Sequence, residues 1–166
     1  VLSAVEDRKQ KTVLDLLPQH LRRRGLSPVG RLDKDTEGLL LLTDDGEMTH
    51  RLLSPKCHVD KVYYARVEGT VAPGAQEAFR QGLLLPDGMR CLPAELEILA
   101  PGEVCVTVHE GKFHQVKRML AACGAPVAYL RRLSMGPLQL DETLAPGQFR
   151  PLSQEEIADL RFVTGK

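Results

Sequence analysis

Between Gly30 and Gly46 the chain reads GRLDKDTEGLLLLTDDG, and this stretch holds the residues best placed to do chemistry. A guanidinium, Arg31, is followed two positions on by a carboxylate, Asp33. A loop through Thr36 and Gly38 leads into an unbroken apolar run, Leu39 to Leu42, which ends at an Asp-Asp-Gly turn. A charged loop feeding a fully apolar short strand holds a reactive side chain at the edge of a core. A carboxylate held there suits nucleophilic attack or proton transfer. Taken alone, the same aspartate reads as a turn cap, because Asp is favoured in turns.

The elements that must position such a loop are legible in the surrounding periodicity. Ser3 to Lys11 is mostly polar and reads as a loop. Val13, Leu14, Leu17 and Leu21 recur at helical spacing, which predicts a helix over Val13–Arg24, interrupted by Pro18 and stopped by Gly25. Glu47 to Leu53 reads as a short helix ended by Ser54-Pro55. Lys61 to Thr70 alternates and is rich in Val and Tyr, so it reads as a strand. Ala75 to Gln81 reads as a helix with Gly82 beyond its end. Pro93–Leu99 and Glu103–His109 read as strands joined by a Pro101-Gly102 turn, with Val104, Val106 and Val108 facing one way. His114 to Cys123 reads as a helix whose apolar stripe is Val116, Met119, Leu120 and Cys123, closed by Gly124. Ser153 and Glu156 form a capping-box pattern that opens a last helix at Gln154. Hairpin-like strand pairs among helices predict an α+β fold, with a mixed, mainly antiparallel sheet and flanking helices.

Bulk properties narrow the class. The 166 residues are enough to bury one core. Hydrophobic content of 43% and charged content of 27% are ordinary for a globular chain. No apolar run approaches the roughly 18 to 20 residues of a membrane helix. Cys57, Cys91, Cys105 and Cys123 show no C-x-x-C spacing, which argues against zinc and against a disulfide framework and reads as small buried hydrophobes in a reduced compartment. The 22 basic and 22 acidic residues cancel, yet from Gly111 to Arg132 there are five basic residues and no acidic one. From Asp141 to Leu160 acidic residues outnumber basic ones five to one. A polyanionic partner needs a local basic patch rather than a global excess, so an RNA face opposite an acidic flank is expected. The three Tyr, four Phe and absent Trp make a poor stacking platform for single strands.

Four segments in order carry a family resemblance. GRLDKDTEGLL resembles the signature of the pseudouridine synthases that modify ribosomal RNA. LSPKCHVDKVYYARVEG resembles their lysine-x-tyrosine strand, EGKFHQVKRMLAACG their basic helix, and YLRRLSMGPLQLDETLAPGQFRPLSQEEI their closing segment. The SPKCHVDK and RLSMGPL strings are most similar to the small-subunit, 16S rRNA type. The resemblance implies an α+β catalytic domain over residues 1–166. It also implies an N-terminal S4-type RNA-binding domain and a first strand with Leu-Asn-Lys-Pro-x-Gly, neither present in the sequence; Val1-Leu2-Ser3 reads as the tail of that strand.

Turning uridine into pseudouridine breaks the C1′–N1 bond, rotates the base and joins C1′ to C5. No redox change occurs and no group is added, so neither cofactor nor metal is required. The resemblance makes Asp33 the catalytic aspartate, by attack on C1′ or by assisting loss of the C2′ proton, and leaves Asp35 as the turn-former. Lys117 matches the basic residue that faces the aspartate, here Lys in place of the Arg of many relatives. Tyr63 matches the active-site tyrosine, to stack on the uracil and assist proton transfer; Tyr64, on the other side of the strand, is expected in the core. Arg31 is expected to fill the space left by the flipped base or to hold a phosphate, with a loop-supporting salt bridge as the alternative. Lys61, Lys112, His114, Gln115, Arg118 and Arg132 complete the expected RNA contacts. The expected partner is ribosomal RNA, 16S or an assembly intermediate, with a cytoplasmic monomer and no membrane. The competing readings are a large-subunit rRNA synthase and a noncatalytic rRNA-binding or assembly factor.

Overall fold

The computed structural model describes residues 12–112 and 114–165. The expectations for Val1–Ser3 and for the Ser3–Lys11 loop lie outside them. In chain order the strands are β1 (Ser27–Pro28), β2 (Glu37–Gly38), β3 (Leu42–Thr43), β4 (Lys61–Val67), β5 (Glu95–Ala100), β6 (Glu103–Val108), β7 (Val127–Met135) and β8 (Leu138–Gln139). The helices are α1 (Gly46–Leu53), α2 (Ala75–Gln81), α3 (Gln115–Ala122) and α4 (Gln154–Val163). The main sheet has the order β2-β7-β4-β6-β5, with β8 folded back on β7, and β1 pairs with β3 in a separate small ladder. Every pairing in the main sheet is antiparallel except β2 with β7. This is the expected α+β fold with a mixed, mainly antiparallel sheet.

Two apolar clusters hold the sheet. Val104, Val106 and Val108 of β6 all point inward, as their alternation predicts, and meet Phe79 of α2 and Val116, Met119 and Leu120 of α3. The second cluster gathers Met48 and Leu52 of α1, Met135 and Leu138 of the β7–β8 hairpin, and Leu160 of α4. Helix ends follow the sequence signals. Asp45 caps α1 by accepting from the Met48 amide at 3.0 Å, and the Ser153–Glu156 capping box opens α4. Cys91 and Cys123 are buried, Cys57 and Cys105 partly so, and all four are free.

Several expectations change. Val13–Arg24 is not an α-helix but two 3-10 turns, Val13–Leu16 and Gln19–Leu21, because Pro18 cannot continue the ladder and caps the second turn instead. Leu39–Leu42 is not one strand. The chain leaves the main sheet after Gly38, where Leu39 still donates its amide to the Arg132 carbonyl, and joins β1 at Leu42, so the four leucines are shared between two sheets rather than forming one strand. β7, a central strand, was not read from the sequence at all. Tyr64 is not in the core: it is half-buried, its hydroxyl donates to Glu103, its ring meets Tyr129 edge-on, and the Arg131 guanidinium lies over it.

Candidate active site

Asp33 begins a tight turn in which its carbonyl accepts the Thr36 amide at 2.8 Å. The turn is held from behind by β2. Gly38 has φ +112, and a Cβ there would lie 2.3 Å from the Arg132 carbonyl oxygen and 2.4 Å from its nitrogen. Only glycine lets the strand after the Asp33 turn approach β7 so closely.

Helix α3 and its N-terminal flank supply the opposing nitrogen groups. The flank residue, His114, adopts φ +49, a strained left-handed conformation for a residue with a side chain. That bend sets His114 Nε2 3.2 Å from Asp33 Oδ1. One turn on, Lys117 Nζ lies 3.1 Å from Asp33 Oδ2 and 2.6 Å from Asp35 Oδ1. Each oxygen of Asp33 therefore faces a nitrogen from α3. The shorter contact is to Asp35, but Asp35 is 80% exposed and Asp33 only 25%. Water screens the Asp35 pair far more than the Asp33 pair. Burial alone would lower the Lys117 ammonium; hydrogen bonds to Asp35 and then Asp33 outweigh it and raise it. The Lys117 hydrogen bond is also the main reason Asp35 is held below the usual carboxylate range. Lys117 thus stays a cation at neutral pH beside an ionised Asp35.

Asp33, His114 and Lys117 line an open cleft, with Arg31, Tyr63 and Lys112 also on its walls. Tyr63 stands on the inward face of β4, half-buried, with its hydroxyl 3.5 Å from Arg132 Nη1. Glu110 is a cleft residue missed by the sequence reading, although it opens the quoted EGKFHQVKRM string. It is buried, accepts from the Leu92 amide at 2.7 Å and from Gln115 Nε2 at 2.9 Å, and lies 3.5 Å from Lys112 Nζ. A buried carboxylate so tied fixes the entry to α3 and hence the aim of His114 and Lys117.

The expected RNA contacts divide. Arg31, Lys112 and His114 sit at the cleft. Lys61, Gln115 and Arg132 are buried, although Gln115 also borders the cleft. Lys61 Nζ donates to the Leu52 carbonyl at 2.9 Å, Gln115 serves Glu110, and Arg132 Nε donates to the Leu39 carbonyl at 2.9 Å. Arg118 turns away from Asp33, as the helical angle predicts, and pairs with Asp87. The basic run is also not opposite its acidic counterpart, since Arg131 lies 3.7 Å from Glu142.

Residues 1–122 match the family model described as RNA pseudouridylate synthase. An uncharacterized RNA pseudouridine synthase, YtzG, of Bacillus subtilis is 47% identical over 161 residues, which is 95% of this chain and 67% of that protein. The ribosomal small subunit pseudouridine synthase A of Escherichia coli K12 is 43% identical over 158 residues, 95% of this chain and 68% of that one. A crystal structure of a pseudouridylate synthase superposes with a TM-score of 0.88 at 41% identity, covering 96% of this chain and 68% of the other.

Proposed function

The chain belongs to the RNA pseudouridine synthase family, an isomerase of uridines in RNA, and on that premise we propose that it acts on a uridine of small-subunit, 16S ribosomal RNA. The carrying observation is the placement of Asp33. Its carboxylate projects into an open cleft, between Lys117 and His114 and within the same walls as Tyr63. A carboxylate held on both oxygens by nitrogen groups is fixed in rotamer and aimed into the cleft, the geometry needed to act at the sugar.

The roles follow from reach. Asp33 acts on the ribose as the C1′–N1 bond opens. Lys117 and His114 hold Asp33 in place, one nitrogen on each carboxylate oxygen. Tyr63 offers a flat face for the released uracil and a hydroxyl for proton movement. Arg31, exposed at the mouth, holds a phosphate or the gap left in the stack. The similarity to small subunit synthases supports the 16S assignment. The enzyme would work as a cytoplasmic monomer, where ribosomal RNA is modified.

The test is tritium release from 5-tritiated uridine in small-subunit rRNA, free and in assembly intermediates, with Asp33→Asn as control. Wild-type release with less than about a hundredth of that rate in the variant is expected from loss of a reacting carboxylate. Release from large-subunit RNA instead would move the target. Turnover of Asp33→Asn within a few-fold of wild type would remove Asp33 from the chemistry.

A further inference from the structure

Arg132 is a buried cation that the roles above leave unused. It projects inward from β7 and is 3% exposed. Nε is held by the Leu39 carbonyl and Nη1 reaches the Tyr63 hydroxyl at 3.5 Å, while Nη2 is buried with no hydrogen-bond partner. Among the described residues, no carboxylate pairs with it. A second buried cation stands nearby. Lys61, two residues before Tyr63 on the same face of β4, is also 3% exposed. Burial, and after it the charge of Arg132, pull its ammonium down to about 8.

Buried charges are normally paired, and a guanidinium that meets no carboxylate, beside a lysine that Asp60 offsets only in part, is unfavourable in a resting chain. Such an arrangement suits a site where negative charge appears only during reaction. Isomerisation supplies it. When C1′–N1 breaks, the electron pair stays with the base, which becomes a uracil anion. That charge forms the C5–C1′ bond; the C5 proton then leaves and N1 gains one, so the product is neutral. Tyr63 lines the cleft, and its hydroxyl is the atom that reaches the guanidinium.

Resting on the synthase reading, we propose that Arg132 is a positioning residue that acts through Tyr63. Its guanidinium, with Lys61 adding charge behind, fixes the Tyr63 hydroxyl beside the base and favours the transient negative charge there. The bond to Leu39 ties this group to the strand that carries the Asp33 turn, so one side chain sets both halves of the cleft in register.

The experiment is a double-mutant cycle on single-turnover tritium release, with RNA affinity and thermal melting measured in parallel. Arg132→Met is expected to slow turnover by about a hundredfold, the scale of one preorganised charged donor, with RNA affinity within about threefold. In a Tyr63→Phe background the same change should cost no more than about threefold further, because its target hydroxyl is gone. Arg132→Lys should recover at least about tenfold by restoring the charge. Losses that multiply across the two sites, or turnover that falls only in step with melting or RNA affinity, overturn the proposal. Should Arg132→Met not fold, the cycle is run with Arg132→Gln, which removes the charge but keeps a polar group toward the Leu39 carbonyl, under the same criterion. An inactive wild type on both ribosomal RNAs overturns the ribosomal RNA reading and this role with it; an active wild type with multiplicative losses overturns this role alone.

Discussion

Gly38→Ala tests whether the Asp33 turn is aimed by the contact between β2 and β7. A methyl at this position would sit 2.3 Å from the Arg132 carbonyl oxygen and 2.4 Å from its nitrogen, roughly an ångström inside ordinary contact. The obstacle is backbone, so no side chain can swing aside. The φ of +112 adds strain for any residue but glycine, of order 1–3 kcal/mol. Relief requires β2 to leave β7, which breaks the Leu39 amide bond to the Arg132 carbonyl and the Arg132 Nε bond to the Leu39 carbonyl, both 2.9 Å. Two such bonds contribute about 2–3 kcal/mol together. If β2 detaches while the backbone keeps its φ at this position, the cost is the sum of the two, about 3–6 kcal/mol. The pairing is only two residues long, Glu37 with Arg131 and Gly38 with Arg132, so it can detach locally. The expected global loss is then nearer the bond term, about 2–3 kcal/mol by urea unfolding. Activity should suffer more. An ångström of displacement at a reacting group costs about a hundredfold, so tritium release should fall by at least that much while bulk secondary structure persists. A Gly38→Ala protein within about 0.5 kcal/mol of wild-type stability and within threefold of its turnover would refute the account of how the turn is held.

Lys117→Met should lower turnover by about two to three orders of magnitude while changing stability by no more than about 1 kcal/mol, since the pair it breaks is partly solvated; a variant that loses RNA affinity alone would place Lys117 on the binding surface. Lys61 should leave a signature in the pH dependence of stability. Its folded value of about 8 lies below the ordinary 10.5, so between them the unfolded chain holds a proton that the folded chain has released, and stability rises with pH. The rise contributes at most about 3 kcal/mol, and Lys61→Met should abolish it; identical wild-type and mutant curves from pH 7 to 10.5 would contradict a buried, depressed lysine. Binding to RNA should show a shallow salt dependence. With Arg31, Lys34 and Lys112 as the exposed cations of the cleft and its turn, three phosphates give a slope near about −2 against log salt on single-stranded RNA; a slope steeper than −5 would mean contacts from elsewhere, such as the exposed Arg22–Arg24 run.

Local rules worked where one segment decides its own shape. Ala75–Gln81 is helical to the residue, and the Ser153–Glu156 box caps α4, because periodicity and capping are short-range. They failed where the partner is distant. β7 carries Arg131 and Arg132 in adjacent positions, a polar pair that obscures strand alternation. Arg132 goes inward only because Leu39 and Tyr63, far away in sequence, offer it acceptors. The leucines after Gly38 look like a strand because nothing local records that the chain changes sheet there. The Asp33–Lys117 pairing was legible from the ordered family segments. The third member, His114, was not, because its approach to Asp33 depends on a positive φ that a histidine rarely adopts.

The charge pattern has the same lesson for RNA binding. Five basic residues without an acidic one between Gly111 and Arg132 read as an adhesive stripe in one dimension. In three dimensions most of that charge is turned inward on the protein. Lys117 faces Asp33 and Asp35, Arg118 faces Asp87, Arg131 approaches Glu142, and Arg132 is buried behind Tyr63. Lys112 is the exception in exposure, and even it reaches the Arg90 carbonyl at 2.8 Å. Charges paired or buried within the protein in this way release few counterions on RNA binding. Selection of the target uridine by this part of the protein must then come from the shape of the cleft and the cost of moving one base into it, more than from a charged surface that gathers RNA.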